Sequence, residues 1–238
     1  MIVQPFIFNW KGKYRNVNKI AGQFRSIFED ITVINSDDDY CPEDWVNIGD
    51  DFYFSGQFNT ALKYFSGDIF FHVQGDVSYN RWQELVDDAI FYMQYYDCGI
   101  YAPNINHTHW PTEVVKIKDR NNLLEHESLD IVSCTDETVW FIHRDVLSKI
   151  GQHSIHFPYS DFGWGIDFVL SSISFLNKKL VLRDSSHTIT HPKGRSYSFQ
   201  QAMQQLKKLK DSLPLDVLEI VNLIQDKNKQ DLIYKYLL

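Results

Sequence analysis

Residues Phe54 to Tyr79, FSGQFNTALKYFSGDIFFHVQGDVSY, decide the fold. From Asn59 to Phe65 the apolar positions recur at helical spacing, and Ser66-Gly67 ends that segment. Asp68 to Val73 is an apolar run of strand length that stops at Gln74-Gly75-Asp76. A carboxylate just past the C-terminal end of a buried strand, beside a glycine that lets backbone approach a ligand, lies where open α/β sheets bind nucleotides. Asp76 is therefore the first candidate site residue.

Toward the N-terminus, Ile2 to Phe8 reads as a strand closed by Asn9-Trp10, and a helix is predicted over Val17 to Phe28 with Ile20, Phe24, Ile27 and Phe28 on one face. Ile31 to Ile34 is a second short strand ending at Asn35-Ser36-Asp37-Asp38-Asp39. Strand, helix and strand, each strand ending in polar residues, is how a doubly wound nucleotide fold begins. The Asp run suits a ligand contact or a solvated turn equally well. No G-x-G-x-x-G or Walker pattern is present, which removes the main support for a dinucleotide dehydrogenase or a P-loop enzyme.

Toward the C-terminus, Arg81 to Tyr95 reads as a helix and Cys98 to Ala102 as a strand. Residues 104–130 read as a polar, irregular connection containing His107 and His109, a spacing that is a weak metal signal without a third ligand. Ile131 to His143 reads as one strand-like run in which Asp136 and Glu137 are taken as exposed loop carboxylates, and Arg144 to Gly151 as a short helix stopped by glycine. In Asp161-Phe162-Gly163-Trp164-Gly165-Ile166-Asp167 two glycines bracket a tryptophan, and Asp167 opens an apolar helix from Phe168 to Leu176, where a carboxylate is electrostatically favoured. Leu180 to Arg183 is a strand, and Ser185 to His191 leads into Pro192-Lys193-Gly194-Arg195. Residues 1–197 read as the main domain and 198–238 as a helical extension. The stripe Leu206, Leu209 and Leu213 in the extension is expected to pack on the core or on a second subunit, as in a homodimer.

These segments resemble the GT-A glycosyltransferases, most closely the large family-2 group, whose pattern runs R-N-x-G, a short helix, A-x-G-D/E, an apolar strand and D-x-D. Here Phe58-Asn59-Thr60-Ala61, Phe65-Ser66-Gly67-Asp68, Ile69 to Val73 and Gln74-Gly75-Asp76 follow it in register, with Phe58 in place of the Arg and Gln74 in place of the first Asp. Arg144 to Gly151 is similar to the family's R-x-x-L-x-x-x-G, and the Gly163-to-Asp167 segment resembles the galactosyltransferase-type G-W-G-x-E-D with Ile166 in place of Glu. The resemblance implies an α/β fold with a mostly parallel central sheet between helices. It implies a nucleotide-sugar donor, in the first instance a UDP-sugar, and a hydroxyl acceptor such as a glycan of polysaccharide biosynthesis, joined by inverting displacement. It assigns Phe8, Asn9, Asn35, Asp37, Asn59, Gln74, Gly75, Trp164, Gly165, Lys193 and Arg195 to the donor. Asp76 and His191 are assigned to Mn²⁺ or Mg²⁺, with His187 as the second choice, and Asp167 is assigned as base, with Asp161 in reserve.

Composition sets the bounds on these readings. With 238 residues, 44% hydrophobic and 23% charged, the chain is long enough for one core. A net charge of −8 argues against a broad nucleic-acid-binding surface and leaves room only for a local basic groove. Three rivals are therefore a GT-A enzyme acting on modified bases in DNA, a non-catalytic sugar-nucleotide binder, and a sugar-phosphate nucleotidyltransferase. For the last, Asn9-Trp10-Lys11-Gly12-Lys13 is a poor substitute for a Gly-rich loop. The 15% aromatic share mostly serves the core, with sugar stacking as its second use. Cys41, Cys98 and Cys134 form no C-x-x-C and read as reduced thiols. No signal peptide or transmembrane run is read, so the expectation is a cytoplasmic protein in which the sequon Asn106-His107-Thr108 is accidental.

Overall fold

The structure is a computed structural model that describes residues 1–108, 110–117, 123–152, 160–193 and 197–237. In chain order the strands are β1 (Val3–Trp10), β2 (Thr32–Ser36), β3 (Val46–Asn47), β4 (Ile69–Gln74), β5 (Cys98–Ile105), β6 (Leu129–Ile131), β7 (Val139–His143) and β8 (Leu180–Ile189). The helices are α1 (Tyr14–Phe24), α2 (Phe54–Tyr64), α3 (Trp82–Tyr95), α4 (Thr112–Val115), α5 (Arg144–Gln152), α6 (Ile166–Leu176), α7 (Phe199–Ser212) and α8 (Leu215–Gln225), followed by a 3₁₀ helix, Gln230–Tyr236. One eight-stranded sheet runs in the order β3-β2-β1-β4-β7-β5-β8-β6. β7 is antiparallel to both β4 and β5, and β6 is antiparallel to β8. The remaining pairings are parallel.

The central strands are apolar on both faces because both faces are covered. On one face Phe71 stacks on Phe141 at 4.1 Å and on Phe24 of α1 at 5.3 Å. On the other, Phe6 stacks on Phe70 at 4.5 Å, and Phe8 lies between Phe54 and the ring of His72. His72 is wholly buried there, and desolvation pushes it down to about 3, so it is a neutral part of the aromatic layer. α6 is buried on every side from Ile166 to Phe175 because the sheet lies under it and the C-terminal helices lie over it.

The family-like Asp68 and Arg144 act as a clamp on strand ends. Asp68 accepts from the Ile2 amide at 2.8 Å and pairs with Arg144 at 3.4 Å, and Arg144 also donates to the Ser66 carbonyl at 2.7 Å. The backbone hydrogen bond and the guanidinium hold the Asp68 carboxyl below its ordinary range.

Several boundaries differ from the sequence reading. α1 ends at Phe24, with Ile27 and Phe28 packing beyond it as turn residues. α2 starts at Phe54 instead of Asn59, because Phe54 and Phe58 stack one turn apart on the sheet, with ring centroids 6.2 Å apart. The run Ile131 to His143 is broken: the Asp136 carboxylate accepts from the Thr138 amide and hydroxyl, and this turn sends β6 and β7 to different places in the sheet. Leu180 to Ile189 is a single strand, and residues 104–130 hold the end of β5, α4 and the start of β6. The stripe Leu206, Leu209 and Leu213 is buried in the chain's own core. Cys41, Cys98 and Cys134 are free thiols, the latter two buried. No helix among the described residues is long and apolar enough to cross a membrane.

Candidate active site

Phe8, Asn9, Asn35, Asp37, Gln74, Gly75 and Asp76 lie at or just past the C-terminal ends of β1, β2 and β4. Gly75 is required there: a Cβ would come within 2.5 Å of the Phe8 carbonyl oxygen and 2.6 Å of Val17 Cγ2. The turn is held from α1 by Asn16, whose amide donates to the carbonyls of Gly75 at 2.9 Å and Val77 at 2.8 Å. So fixed, Asp76 directs Oδ1 to within 3.5 Å of His191 Nε2, with side-chain exposures of 12% and 19% that leave both reachable. That oxygen is buried and makes no hydrogen bond. Burial pushes the Asp76 carboxyl up, against the opposing pull of His191 and Lys13. An unsatisfied carboxylate oxygen facing an imidazole nitrogen is a donor set that suits Mn²⁺ and also admits Mg²⁺.

The ends of β1 and β2 are more deeply set. Asn9 and Asn35 are fully buried and joined at 2.6 Å, and Asn35 also donates to the Tyr40 carbonyl and to Asn47. Asp37 is 2% exposed and accepts from the amides of Gly12 and Asp39 at 3.1 and 3.0 Å, so its side chain builds this loop from within. Asp38 and Asp50 bond each other's backbone amides, and Lys11 bridges Asp39 and Asp50. The Phe8 side chain belongs to the core, leaving only its backbone near Gly75. Asn59 is half-buried on α2. Gln57, two residues earlier, was not singled out by sequence; it is buried and donates to the Asn9 carbonyl at 2.6 Å.

At the acceptor end, Gly165 adopts φ +94° ahead of α6, where a Cβ would meet Leu206 Cδ1 of α7 at 2.6 Å. This tight entry sets Asp167 in the first turn, 7% exposed. Its carboxyl is pushed up to about 7 by burial; hydrogen bonds from the Phe168 and Gly165 backbone and from Trp110 oppose the shift, and Asp136 adds to it. Arg183, buried, donates to the Trp110 carbonyl at 2.5 Å, and the Trp110 ring packs on Phe168. Trp164 is half-buried and donates to the Tyr197 hydroxyl at 2.7 Å. Asp161 is exposed and accepts from Gln205 at 3.0 Å.

The reading of Asp136 and Glu137 as exposed is corrected: both are half-buried. Asp136 accepts from Thr108 at 2.8 Å, and Glu137 Oε2 is buried without a partner. Burial and the neighbouring Asp167 and Asp136 push the Glu137 carboxyl well above its ordinary value. The Gln74 side-chain amide donates to the Glu137 carbonyl at 3.4 Å, which joins the turn after β4 to the segment before β7.

His187 is not beside Asp76. It is fully buried behind the edge, bonded to Tyr79 and Asp88. Asp88, Asp184 and His187 place ligand-type atoms within 4.8 Å of one another, the one such group of three among the described residues. Lys193 is exposed; His109, Gly194 and Arg195 lie outside the described residues.

No protein-family model matches the chain, and no curated protein matches it. Among solved structures, it resembles a fragment of S. aureus TarS in complex with UDP-GlcNAc, with a TM-score of 0.60 and 13% identity over 96% of this chain and 72% of that one. It resembles GalNAc-T7 with UDP, GalNAc and Mn²⁺, with a TM-score of 0.62 and 9% identity over 89% of this chain and 48% of that one. The third is glucosyl-3-phosphoglycerate synthase from Mycobacterium tuberculosis with Mn²⁺, UDP and phosphoglyceric acid, with a TM-score of 0.58, 10% identity, 92% of this chain and 78% of that one. The chain has the GT-A fold. At such identities the likeness establishes the GT-A architecture, and the chemistry rests on the residues present.

Proposed function

We propose that the chain is a glycosyltransferase that moves a sugar from a nucleotide-sugar, a UDP-sugar in the first instance, to a hydroxyl of a glycan acceptor. One observation carries this reading: along the C-terminal edge of a GT-A sheet, an unsatisfied Asp76 faces His191 at one end and a carboxyl poised near neutrality, Asp167, stands at the other. Asp76 and His191 would hold Mn²⁺ or Mg²⁺, which neutralises charge developing on the diphosphate as it leaves. The bound complexes of TarS, GalNAc-T7 and the synthase support a UDP-sugar donor and, in the latter two, Mn²⁺.

Asp167 takes the proton from the acceptor hydroxyl, whose oxygen bonds to the anomeric carbon while the bond from that carbon to the diphosphate breaks. Direct displacement inverts the anomeric centre. A hydroxyl is a poor nucleophile at neutral pH, and a base with a pKa near 7 is matched to this task. Burial and the carboxyls beside it push Glu137 toward its neutral form, which limits the negative charge gathered around Asp167. Lys193 stands beyond His191 as the cation for the diphosphate, and Arg195 is assigned with it from sequence. Gln74 links the donor turn to Glu137 through the 3.4 Å hydrogen bond.

The test is a thermal-shift screen of UDP-, GDP- and dTDP-sugars with and without Mn²⁺, followed by calorimetry on the best donor. A ligand at 100 times its Kd adds about 2.7 kcal/mol, readily seen as a shift in Tm. Stabilisation by one nucleotide-sugar class that grows with Mn²⁺ is the expected result, and indifference to all of them removes the proposal. Donor binding without turnover on any glycan acceptor would leave a sugar-nucleotide binder.

A further inference from the structure

Asp76 and His191 stand on two arms that are far apart in sequence, the turn after β4 and the end of β8. Backbone pairing joins the arms: Ser78 and Thr190 exchange N–H···O bonds of 2.8 and 3.1 Å. Immediately behind this bridge runs a line of side chains from three elements. The Tyr79 hydroxyl lies 2.5 Å from His187 Nδ1, and His187 Nε2 lies 2.7 Å from Asp88 Oδ2 on α3. His187 is wholly buried, whereas the Asp88 side chain is 43% exposed, so the line starts at the surface and ends at the site turn.

The chemistry of the groups sets their roles. A carboxylate only accepts, so His187 carries a proton on Nε2 for Asp88 and accepts at Nδ1 from the Tyr79 hydroxyl. Both ring nitrogens of His187 are then satisfied. The Tyr79 ring also packs on Trp82 at 5.1 Å, which fixes the turn against the start of α3. Asp184, the remaining carboxylate of the group, is occupied separately by the Tyr101 hydroxyl at 2.7 Å and by the amide and hydroxyl of Ser186 at 2.8 and 2.6 Å. The group therefore reads as a hydrogen-bonded brace with its donors and acceptors filled.

We propose that Tyr79, His187 and Asp88 are positioning residues that hold the Asp76 turn against β8, so that Asp76 and His191 face each other before a divalent cation arrives. The proposal rests on the reading of Asp76 and His191 as metal ligands. Two ligands on separate arms bind tightly only if the arms are ordered beforehand; otherwise that ordering is subtracted from the affinity. Losing a partner that orients a metal ligand costs about 10- to 100-fold in affinity.

The experiment titrates the full chain with Mn²⁺ in the presence of UDP, following the electron paramagnetic resonance signal of free Mn²⁺. It compares wild type with Tyr79→Phe, Asp88→Ala, Asp88→Asn and Asp76→Ala. Tyr79→Phe keeps the ring on Trp82 and Asp88→Asn keeps an acceptor for Nε2, so the fold is spared in both. The expected result is Mn²⁺ affinity weakened about 10- to 100-fold in Tyr79→Phe and Asp88→Ala, largely restored in Asp88→Asn, with metal-free UDP affinity unchanged. A brace that only supports the fold would lower Tm and leave Mn²⁺ affinity, measured well below Tm, untouched; that outcome overturns the proposal alone. Wild type without Mn²⁺ binding overturns the underlying assignment of Asp76 and His191. Binding that survives in Asp76→Ala and vanishes in Asp88→Ala moves the metal to the Asp88 group and overturns both.

Discussion

Asp76 Oδ1 lies 3.5 Å from His191 Nε2, an ion-pair distance with no hydrogen bond between them. The contact spans the sheet: one residue follows β4 and the other follows β8, with β7 and β5 between these strands. The buried Asp76 Oδ1 has no hydrogen bond within the protein, which is the observation behind the proposal that the pair holds a cation.

Asp76→Ala should abolish Mn²⁺-dependent UDP binding and leave the fold intact, because the buried Oδ1 it removes makes no hydrogen bond. Calorimetry with and without Mn²⁺ checks it; unchanged affinity in the variant takes Asp76 out of the site.

Gln74→Asp should lower the Mn²⁺ concentration needed for half-maximal activity, since a carboxylate is a stronger ligand than a neutral amide. The new side chain also gives up the donor to the Glu137 carbonyl. An unchanged or higher metal requirement counts against Gln74 as the counterpart of the first Asp in D-x-D.

Asp167→Asn should reduce kcat about 10²- to 10⁴-fold while donor affinity stays the same, because the amide cannot take a proton. The side chain accepts from the Phe168 amide at 2.9 Å, and Asn preserves that bond, so a purely capping role would make the change silent. Turnover near wild type would shift attention to Asp161.

With Asp167 pushed up to about 7, kcat should rise between pH 6 and pH 8, when the base loses its own proton. Stability moves the other way. A carboxyl whose folded-state pKa is above its unfolded value stabilises the fold fully below the unfolded value, and that contribution is lost as pH rises through about 7. Asp167→Asn should therefore raise Tm more at pH 8 than at pH 5. An equal effect at both would mean that the carboxyl is not desolvated.

Gly75→Ala should destabilise the protein by about 1–3 kcal/mol, the usual cost of overpacking. Its Cβ would press on the Phe8 carbonyl and on Val17, and the displaced turn should weaken Mn²⁺ binding as well. Denaturant unfolding checks the first effect and a Mn²⁺ titration the second.

The sequence alone determined the parts that local chemistry sets. The apolar run from Ile69 to Val73 is a strand because both its faces need burial, and Gly75 marks a turn that tolerates no side chain. The polar ends of β1 and β2 were legible for the same reason; Asp68 and Arg144 stood out separately in two family-like patterns, and only the fold pairs them as a clamp. Tertiary structure decided what depends on which strands become neighbours. Nothing near Glu137 in the chain reveals that Gln74 will reach it and that Asp167 will crowd it, which turns a loop carboxylate into a half-buried one whose carboxyl is pushed up. Likewise Asp88 looks like any exposed helix residue until β8 brings His187 to it and Tyr79 closes the line. Those contacts join positions about a hundred residues apart, 99 and 108. Periodicity and turn chemistry act over a few residues; the pairing of β8 with β5, and of Thr190 with Ser78, acts across the whole chain, and it brings His191 opposite Asp76.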